Sequence, residues 1–511
     1  MNLFAFPVLP DFEQYISNKS FRIWCVVPFF VAYSSSDMKR ILGFSIMACL
    51  LSCTAPLTNH AQTTWTVGNT TLTETDLVTG ISLPWEILWG PEDYIWATLR
   101  TGKVLRIDPA TGNYTTILEI SVAGSGSSEP GLLGMALHPD FANTPEVFLV
   151  YCYSSGNSVK ERLVKYTWDG TALTGETNLI NNIPGNWIHD GSRLVISPDN
   201  KIMMTTGDTG TGGDLSQDMS SINGKVLRIN LDGTIPADNP DPSSYVWSFG
   251  HRNSQGLCYG PTGILYESEH GQNSSDEFNI VEPSRNYGWP DVEGACNTAS
   301  EQTFCNDNNV KEPLKEWSPC VAVNGISYYD HPAIPEWSNS IIMGVMGGLN
   351  GTTSSNDRVS VLHLSTDGLS VTSEDKYFTT LNQRFRDVCV NPYTGAIYVA
   401  LNGGSYPGTT PNKIKEFRNL AYNSVEEPAA TVGQELNLYP NPASSQMTLE
   451  VSSTLVGSSL QIFGYDGKLV KEVMIKNTKE NVDISDLKAG NYWTAATSKL
   501  GTVTGNFVKI D

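Results

Sequence analysis

Short runs of β-branched and aromatic residues alternate with turn residues along most of this 511-residue chain. Between about residues 66 and 420, each run has the length of one strand and is bounded by Gly, Asn, Asp or Pro. Examples are residues 94–99, 147–151, 201–206 and 396–401. We find no convincing amphipathic helical pattern longer than three turns in this region. The pattern therefore predicts an all-β domain.

Two strand pairs of this region resemble each other in sequence. Gly102-Lys-Val-Leu-Arg-Ile-Asp is similar to Gly224-Lys-Val-Leu-Arg-Ile-Asn, and each follows a small-residue turn. Small antiparallel sheets that recur over about 350 residues favour a β-propeller. A large two-sheet sandwich is the alternative. The repeats are too degenerate to give the number of blades.

The C-terminal part of the chain has its own pattern. Residues 423–435 are polar, acidic and without periodicity, which is typical of a linker. Residues 436–511 alternate in short strands, with turns at Asp466-Gly467 and Ala489-Gly490. We predict a small β-sandwich there.

The net charge of the chain argues against nucleic acid as a partner. The formal net charge is −21 and the isoelectric point is about 4.7. So acidic a surface repels phosphate backbones, which argues against nucleic-acid binding. It is compatible with divalent cations and neutral sugars.

The N-terminal region resembles an export signal. Met38-Lys39-Arg40 precedes an uncharged apolar run at residues 41–51, which is too short to span a bilayer. We predict a signal peptide that starts at Met38 and is cleaved after Ala61, and we interpret residues 1–37 as an upstream over-extension of the reading frame. The alternatives are lipid attachment at Cys53 and a membrane anchor within residues 21–33.

Export permits disulfides, and the cysteine spacing bears on them. Cys296 and Cys305 flank a short polar loop and are the first candidate pair. No C-x-x-C spacing is present, so a zinc site has little support.

Polar groups that could carry chemistry lie on turns beside strands of the large domain. His189 could remove a hydroxyl proton, and Arg252 could stabilise an oxyanion or a quinone oxygen. Arg384 and Arg386 alternate on a strand, so they share a face and could clamp a polycarboxylate. Residues 271–277 offer carbonyl and carboxylate oxygens of the kind that bind Ca²⁺. Purely structural roles remain open for all of these residues.

Taken together, these segments resemble the soluble glucose/sorbosone dehydrogenase family from about residue 83 to 418. The most diagnostic motifs are His251-Arg-Asn-Ser-Gln-Gly-Leu, Asp276-Glu-Phe-Asn and Asn286-Tyr-Gly-Trp-Pro. The resemblance implies a six-bladed β-propeller at residues 62–422 that binds pyrroloquinoline quinone (PQQ) and Ca²⁺.

The resemblance also implies roles for individual residues. His189 would be the general base for the sugar C1 hydroxyl, and Arg252 would contact the quinone oxygens. The residues implied to contact PQQ are Glu129, Asn253, Trp317, Arg384 and Arg386. The residues implied to bind Ca²⁺ are Gly271 and Gln272 through their carbonyls, and Asp276, Glu277 and Tyr287 at a neighbouring structural site.

Three departures from the family pattern concern the site. Ile188 stands where glucose-type members have an acid, and Glu129 stands where they have Gln. The Lys expected after the Trp337 segment is missing, and the local run is Met343-Gly-Val-Met-Gly-Gly. We interpret these changes as a different sugar preference.

The tail carries a second resemblance. Asn437-Leu-Tyr-Pro-Asn-Pro-Ala, residues 462–470 and residues 482–492 resemble the type A C-terminal sorting domain of type IX secretion. This implies a Bacteroidota-type bacterium, the type IX machinery as a partner, and a secreted or outer-surface location. A carbohydrate-binding sandwich is the alternative for this domain.

The sequence thus predicts an exported PQQ- and calcium-dependent dehydrogenase that oxidises an aldose, or a related polyol or sorbosone, at C1. A quinone or similar acceptor would receive the electrons. The main alternative is a non-catalytic propeller that binds a glycan or protein at the cell surface. A propeller lactonase that uses Ca²⁺ without PQQ is a third, weaker possibility.

Overall fold

A computed structural model describes residues 63–124, 128–347, 356–404, 412–422, 436–464, 468–498 and 501–510. The predicted signal region at residues 1–61, the linker at residues 423–435 and the turn at Asp466-Gly467 lie outside these ranges. Among the described residues, no helix is long and apolar enough to cross a membrane.

The large domain is built from short strands, as the alternating pattern predicts. In chain order they are β1 (Thr64–Val67), β2 (Thr70–Thr79), β3 (Pro84–Trp89), β4 (Ile95–Leu99), β5 (Lys103–Ile107), β6 (Tyr114–Glu119), β7 (Leu132–Leu137), β8 (Glu146–Ser155), β9 (Ser158–Trp168), β10 (Leu173–Pro184), β11 (Gly191–Ile196), β12 (Lys201–Thr206), β13 (Lys225–Asn230), β14 (Val246–Phe249), β15 (Ser254–Tyr259), β16 (Leu265–Glu269), β17 (Asp276–Ile280), β18 (Lys315–Trp317), β19 (Val323–Tyr329), β20 (Ser340–Val345), β21 (Arg358–Leu364), β22 (Val371–Tyr377), β23 (Phe385–Val390), β24 (Ile397–Asn402) and β25 (Asn412–Arg418).

These strands form six antiparallel sheets. Five sheets take four consecutive strands each, from β3–β6 to β19–β22. The sixth has the order β1-β2-β25-β24-β23, in which Thr73 of β2 pairs with Arg418 of β25. The first strands of the domain therefore complete its last sheet, which joins the two ends of the domain.

The innermost strands close a ring. β3, β7, β11, β15, β19 and β23 contact one another in that order, and β23 contacts β3. Hydrophobic clusters fill the spaces between adjacent sheets; one example is the cluster of Ile87, Leu105 and Tyr398 from the first and sixth sheets. A closed ring of six radial sheets is a six-bladed β-propeller, so the propeller prediction is confirmed and the two-sheet alternative is wrong.

Helices are a minor part of the described structure. Helix α1 spans Asp214–Gln217, and α2 spans Ala299–Asp307. A capping box between Thr298 and Glu301 starts α2, because each side chain bonds the other residue's backbone N–H. The predicted disulfide joins Cys296, before this helix, to Cys305 within it.

The C-terminal domain is a small two-sheet sandwich, as predicted. Its strands are β26 (Leu436–Tyr439), β27 (Gln446–Val451), β28 (Ser459–Phe463), β29 (Leu469–Met474), β30 (Lys479–Asp483), β31 (Gly490–Ser498) and β32 (Gly501–Lys509). One sheet has the order β26-β27-β30 and the other β29-β28-β31-β32. Leu449 from the first and Ile462 from the second share one buried core.

Candidate active site

A polar cavity of about 390 Å³ opens at one end of the propeller ring. Residues from all six blades line it: Trp85, Arg100, Glu129, Leu133, Asp190, Gly191, Asn253, Gln255, His270, Gly271, Asp276, Cys320, Ala322, Met346, Gly347, Arg384 and Arg386. Half of the twelve site residues predicted from the sequence thus meet in one place, although they lie far apart in the chain: Glu129, Asn253, Gly271, Asp276, Arg384 and Arg386.

One wall of the cavity is strongly basic. Arg384 and Arg386 project from the start of β23 and meet Arg100 of the first blade. Arg386 donates to Asn324 Oδ1 (2.8 Å) and Gln255 Oε1 (3.1 Å), both neutral acceptors. Burial, and then the charges of Arg100 and Arg384, hold the pKa of Arg386 well below its ordinary value. An anionic ligand would relieve this repulsion, so the wall fits a polycarboxylate.

His189 lies beside the cavity, between the carboxylate of Asp208 and the guanidinium of Arg252. Its Nδ1 lies 2.7 Å from Asp208 Oδ1, and its Nε2 lies 3.3 Å from Arg252 Nη2. The carboxylate can only accept and the guanidinium can only donate. The imidazole is therefore held with the proton on Nδ1 and a lone pair on Nε2, as a general base requires.

The backbone around His189 is fixed in an uncommon conformation. His189 has φ of 59°, and its N–H donates to Glu129 Oε2 at 2.9 Å. A Cβ at Gly207 would lie 1.9 Å from His189 O, so the neighbouring turn requires glycine. Glu129, which the family resemblance implies as a PQQ contact, lines the cavity and also anchors the backbone of the base.

Asp208 is buried and well supplied with donors. Trp289 Nε1 (2.9 Å) and the Gly210 N–H (2.8 Å) bond to it in addition to His189. Burial opposes ionisation of Asp208, but the hydrogen bond from His189, together with the Gly210 N–H and the charge of Arg252, outweighs it and lowers the pKa of Asp208. Asp208 is thus a stable anionic partner for the imidazole.

Arg252 and Asn253 occupy the loop before β15. Arg252 Nη1 donates to His270 O (3.1 Å), and its guanidinium lies 5.3 Å from the Trp289 ring centroid. Asn253 Oδ1 accepts from Gln255 Nε2 (3.0 Å) and from the Gly191 N–H (3.3 Å), so Asn253 ties the third and fourth blades together.

Asp276 accepts hydrogen bonds from backbone N–H groups of two segments. Its Oδ1 accepts from the Gly271 N–H (2.9 Å), and its Oδ2 accepts from the Val321 and Ala322 N–H groups (2.7 and 2.6 Å). The carboxylate braces the turn at Gly271, and the prediction that Asp276 binds Ca²⁺ stays a prediction. Gly271 itself lines the cavity.

A second, much smaller cavity lies next to the first. Glu269, Glu277 and Glu293 border it together with Tyr287. Burial, and then the charge of Glu269, raise the pKa of Glu277 to about 8. Three carboxylates around a small enclosed space suit a hard cation such as Ca²⁺.

Two predicted Ca²⁺ ligands remain. Tyr287 borders this second cavity, and Gln272 is not among its lining residues. The Tyr287 hydroxyl donates to Ile280 O (2.6 Å) and accepts from the Glu282 N–H (2.9 Å), which leaves the main chain of Tyr287 as its route to a cation. The main-chain N–H of Gln272 donates a hydrogen bond to the Glu293 carboxylate.

Two protein-family models match this chain, one in the propeller and one in the C-terminal domain. Residues 81–406 match the Glucose / Sorbosone dehydrogenase family, and residues 437–510 match a Secretion system C-terminal sorting domain. The chain belongs to the glucose/sorbosone dehydrogenase family. The large domain therefore belongs to a family of PQQ-dependent aldose/glucose dehydrogenase-like oxidoreductases.

Individual relatives agree with this family. Quinoprotein glucose dehydrogenase B of Acinetobacter calcoaceticus is 37% identical over 249 residues, which are 43% of this chain and 52% of that protein. The match thus spans about half the length of the Acinetobacter protein. An uncharacterized protein of Synechocystis is 34% identical over 357 residues, 63% of this chain and 82% of the relative. The PQQ-bound aldose sugar dehydrogenase of Streptomyces coelicolor superposes with a TM-score of 0.57 at 30% identity, covering 67% of this chain and 96% of that one.

One residue implied by the family resemblance lies elsewhere. Trp317 is buried between the fourth and fifth blades, where its Nε1 donates to Glu374 Oε2 at 3.1 Å. Its ring is not part of the cavity lining, so the stacking of Trp317 on the cofactor stays a prediction. Cys320 and Ala322, a few residues further on, reach the cavity instead.

Sequence reasoning also missed contributors to the site. Asp208 lies in the segment Thr206-Gly-Asp-Thr-Gly, and its position between glycine-containing turns was the available signal. Gln255 lies within the His251-Arg-Asn-Ser-Gln-Gly-Leu motif, whereas Arg100 carried no comparable signal. Met346 lies in the segment where the family Lys was expected, and its Sδ contacts Arg384 Nη2 at 3.8 Å.

Proposed function

We propose that this protein is an exported dehydrogenase that oxidises an aldose, or a related polyol or sorbosone, at C1 with PQQ and Ca²⁺. The observation that carries the proposal is the pairing of His189 with Asp208 and Arg252 beside a cavity with an arginine wall. Family membership supports the same reaction class.

The proton step belongs to His189. With Nδ1–H donated to Asp208, the Nε2 lone pair accepts the proton of the substrate C1 hydroxyl. Asp208 stabilises the imidazolium that forms, and Arg252, 3.3 Å from Nε2, favours release of the proton afterwards.

The remaining residues bind and orient the cofactor. PQQ, when bound, supplies the acceptor for the hydride that leaves C1. Arg384 and Arg386 would hold its carboxylates, and Asn253 of the fourth blade lines the same cavity, with Arg252 next to it in the chain. The chain offers the carbonyls of Gly271 and Gln272 for the Ca²⁺ held with PQQ, and Glu277, with Tyr287 through its main chain, for a second Ca²⁺.

The C-terminal domain supports a location outside the cell. A secretion-system sorting domain at residues 437–510 implies export in a Bacteroidetes-type system. We propose that the type IX machinery is its partner, and that the propeller acts in a secreted or surface-attached form. A quinone or similar compound would be the final electron acceptor.

The test is reconstitution of the chain from residue 62 with PQQ and Ca²⁺, followed by dye reduction with a panel of aldoses. We expect PQQ binding and sugar-dependent reduction. His189→Ala should abolish turnover while PQQ still binds, and His138→Ala, outside the cavity lining, should behave as wild type. Full turnover in His189→Ala would refute the assigned base, and a folded protein that binds no PQQ would refute the proposal.

A further inference from the structure

A further cavity, of about 400 Å³, is lined by residues of all six innermost strands. The cavity of the candidate active site, here called the main cavity, takes residues from the starts of these strands, such as Leu133 of β7 and Gly191 of β11. The further cavity takes residues from their ends, such as Leu137 and Ile196. The two cavities therefore lie at opposite ends of one axial channel, and we call the second of these the distal cavity.

Three charged side chains separate the distal cavity from the main cavity. Arg193 Nη1 lies 2.7 Å from Glu86 Oε1 and 3.2 Å from Asp387 Oδ2. Arg193 Nε donates to Gln255 O (2.9 Å), and the guanidinium lies 4.2 Å from the ring centroid of Trp85. Gln255 and Trp85 line the main cavity, whereas Glu86 and Asp387 line the distal cavity. The two carboxylates thus form the inner end of the distal cavity.

This cluster has one more negative than positive charge when both acids are ionised, and all three side chains are buried. Asp387 Oδ2 also accepts from the Ile87 N–H (2.7 Å), whereas no described residue donates to the buried Glu86 Oε2 at hydrogen-bond distance. Burial and the charge of Asp387 outweigh Arg193 and the nearby Met135 N–H, and raise the pKa of Glu86 to about 8. A second positive charge beside Oε2 would therefore stabilise the ionised cluster.

The walls of the distal cavity indicate what kind of cation fits. Leu88, Leu137, Ile196 and Val390 line it from four different strands and are half-buried. Ser327 is the one lining residue with a hydroxyl group. A Ca²⁺ ion takes about six to eight oxygen ligands, whereas the lining side chains supply two carboxylates and this hydroxyl. The volume is typical of a small-molecule site, so an organic cation with an apolar body fits better than a metal ion.

We infer that the distal cavity binds a primary ammonium compound with an aliphatic body, whose ammonium group pairs with Glu86. An ammonium group has three N–H donors and no acceptor, which complements a carboxylate oxygen that lacks a donor. The aliphatic body would remove the apolar surfaces of Leu137, Ile196 and Val390 from water. This site is separate from the main cavity and does not depend on the proposed dehydrogenase function.

Titration calorimetry of the chain from residue 62 with n-hexylammonium chloride, in the absence of PQQ, tests the inference. We expect saturable binding at one site, with affinity that increases about 3- to 4-fold per methylene from n-butylammonium to n-hexylammonium. n-Hexanol has the same chain without the charge and should bind at least about 10-fold more weakly. Absence of saturable n-hexylammonium binding, or equal binding of n-hexanol, would overturn the inference.

Substitutions locate the bound ammonium. Glu86→Gln should weaken n-hexylammonium binding by about 10- to 150-fold and change n-hexanol binding by less than about threefold. Glu129→Gln, in the main cavity, is the matched control and should leave the affinity unchanged. Loss of binding in Glu129→Gln but not in Glu86→Gln would place the ammonium in the main cavity and overturn the inference.

A third variant keeps the test decisive if Glu86→Gln does not unfold cooperatively on heating. Ile196→Trp fills the distal cavity from a half-buried position without changing its charge, and should abolish n-hexylammonium binding. Unchanged binding in a cooperatively folded Ile196→Trp variant would overturn the inference.

Discussion

His189 Nδ1 lies 2.7 Å from Asp208 Oδ1, and these two residues come from the loops on either side of the hairpin β11–β12. Asp208 is almost completely buried, and Trp289 of the fourth blade also donates to it. The imidazole orientation therefore depends on packing between two blades as well as on its own loop.

Asp208→Asn should impair the chemical step selectively. The neutral amide cannot stabilise an imidazolium, so kcat should fall about 10²- to 10⁴-fold, the usual contribution of general base catalysis. PQQ affinity should change little, because Asp208 is not part of the lining of the main cavity. Single-turnover kinetics would check this, with the exposed Asp218→Asn as control. Equal losses in kcat and cofactor affinity would contradict the positioning role.

Arg386→Gln should weaken cofactor binding. The basic wall has several positive charges whose mutual repulsion lowers the pKa of Arg386, so a bound polycarboxylate gains most there. Loss of one charged hydrogen bond corresponds to about 1.5–3 kcal/mol, or roughly 10- to 150-fold in the PQQ dissociation constant. Titration calorimetry would measure it, and Arg106→Gln, on β5 outside the cavity lining, is the control. Unchanged affinity would mean that the carboxylates bind elsewhere.

The sequence pattern predicted those features that depend only on residues close together in the chain. The alternation of Arg384 and Arg386 predicted that both side chains share one face, and both line the cavity, Arg386 from β23 and Arg384 from the residue just before it. The Cys296–Cys305 pair and the strand-turn rhythm are equally local, and both predictions are confirmed.

Contacts between blades could not be predicted in this way. Trp317 and Cys320 are three residues apart, yet the first is buried between blades and the second reaches the cavity. The role of Asp208 depends on Trp289, 81 residues away, and that of Glu129 on His189, 60 residues away. Spacing along the chain carries no information on such distances.

Glu277→Gln should remove much of the response to calcium. Without a cation, burial and the neighbouring Glu269 raise the pKa of Glu277 to about 8, so a bound Ca²⁺ would relieve unfavourable burial of charge. We expect Ca²⁺ at 100 times its Kd to stabilise the wild-type protein by about 2.7 kcal/mol, and the variant by much less. Thermal unfolding with EGTA or excess Ca²⁺ measures this, with Glu119→Gln as the control. A variant as responsive as the wild-type protein would show that the cation does not bind at Glu277.

Glu374 should make the propeller sensitive to acid. On β22 it accepts from Ser360 Oγ (2.7 Å), Arg358 Nη2 (3.0 Å) and Trp317 Nε1 (3.1 Å). Burial opposes its ionisation, but the bonds from Ser360, Arg358 and Trp317 outweigh this and lower the pKa of Glu374 to about 2. In the unfolded chain, its pKa returns to about 4.3.

The sign of the effect follows from these two values. The folded state holds the ionised carboxylate more strongly than the unfolded state does, so the stabilisation is complete above about pH 4.3. It is lost as the pH falls toward 2, because the unfolded chain takes up the proton first. Urea unfolding between pH 2 and pH 6 should show this loss in the wild-type protein. Glu374→Gln should be less stable at pH 6 by about 1–3 kcal/mol, since Arg358 is left buried without its partner, and should lose less stability on acidification. A parallel decline in both proteins would show that other carboxylates control the acid response.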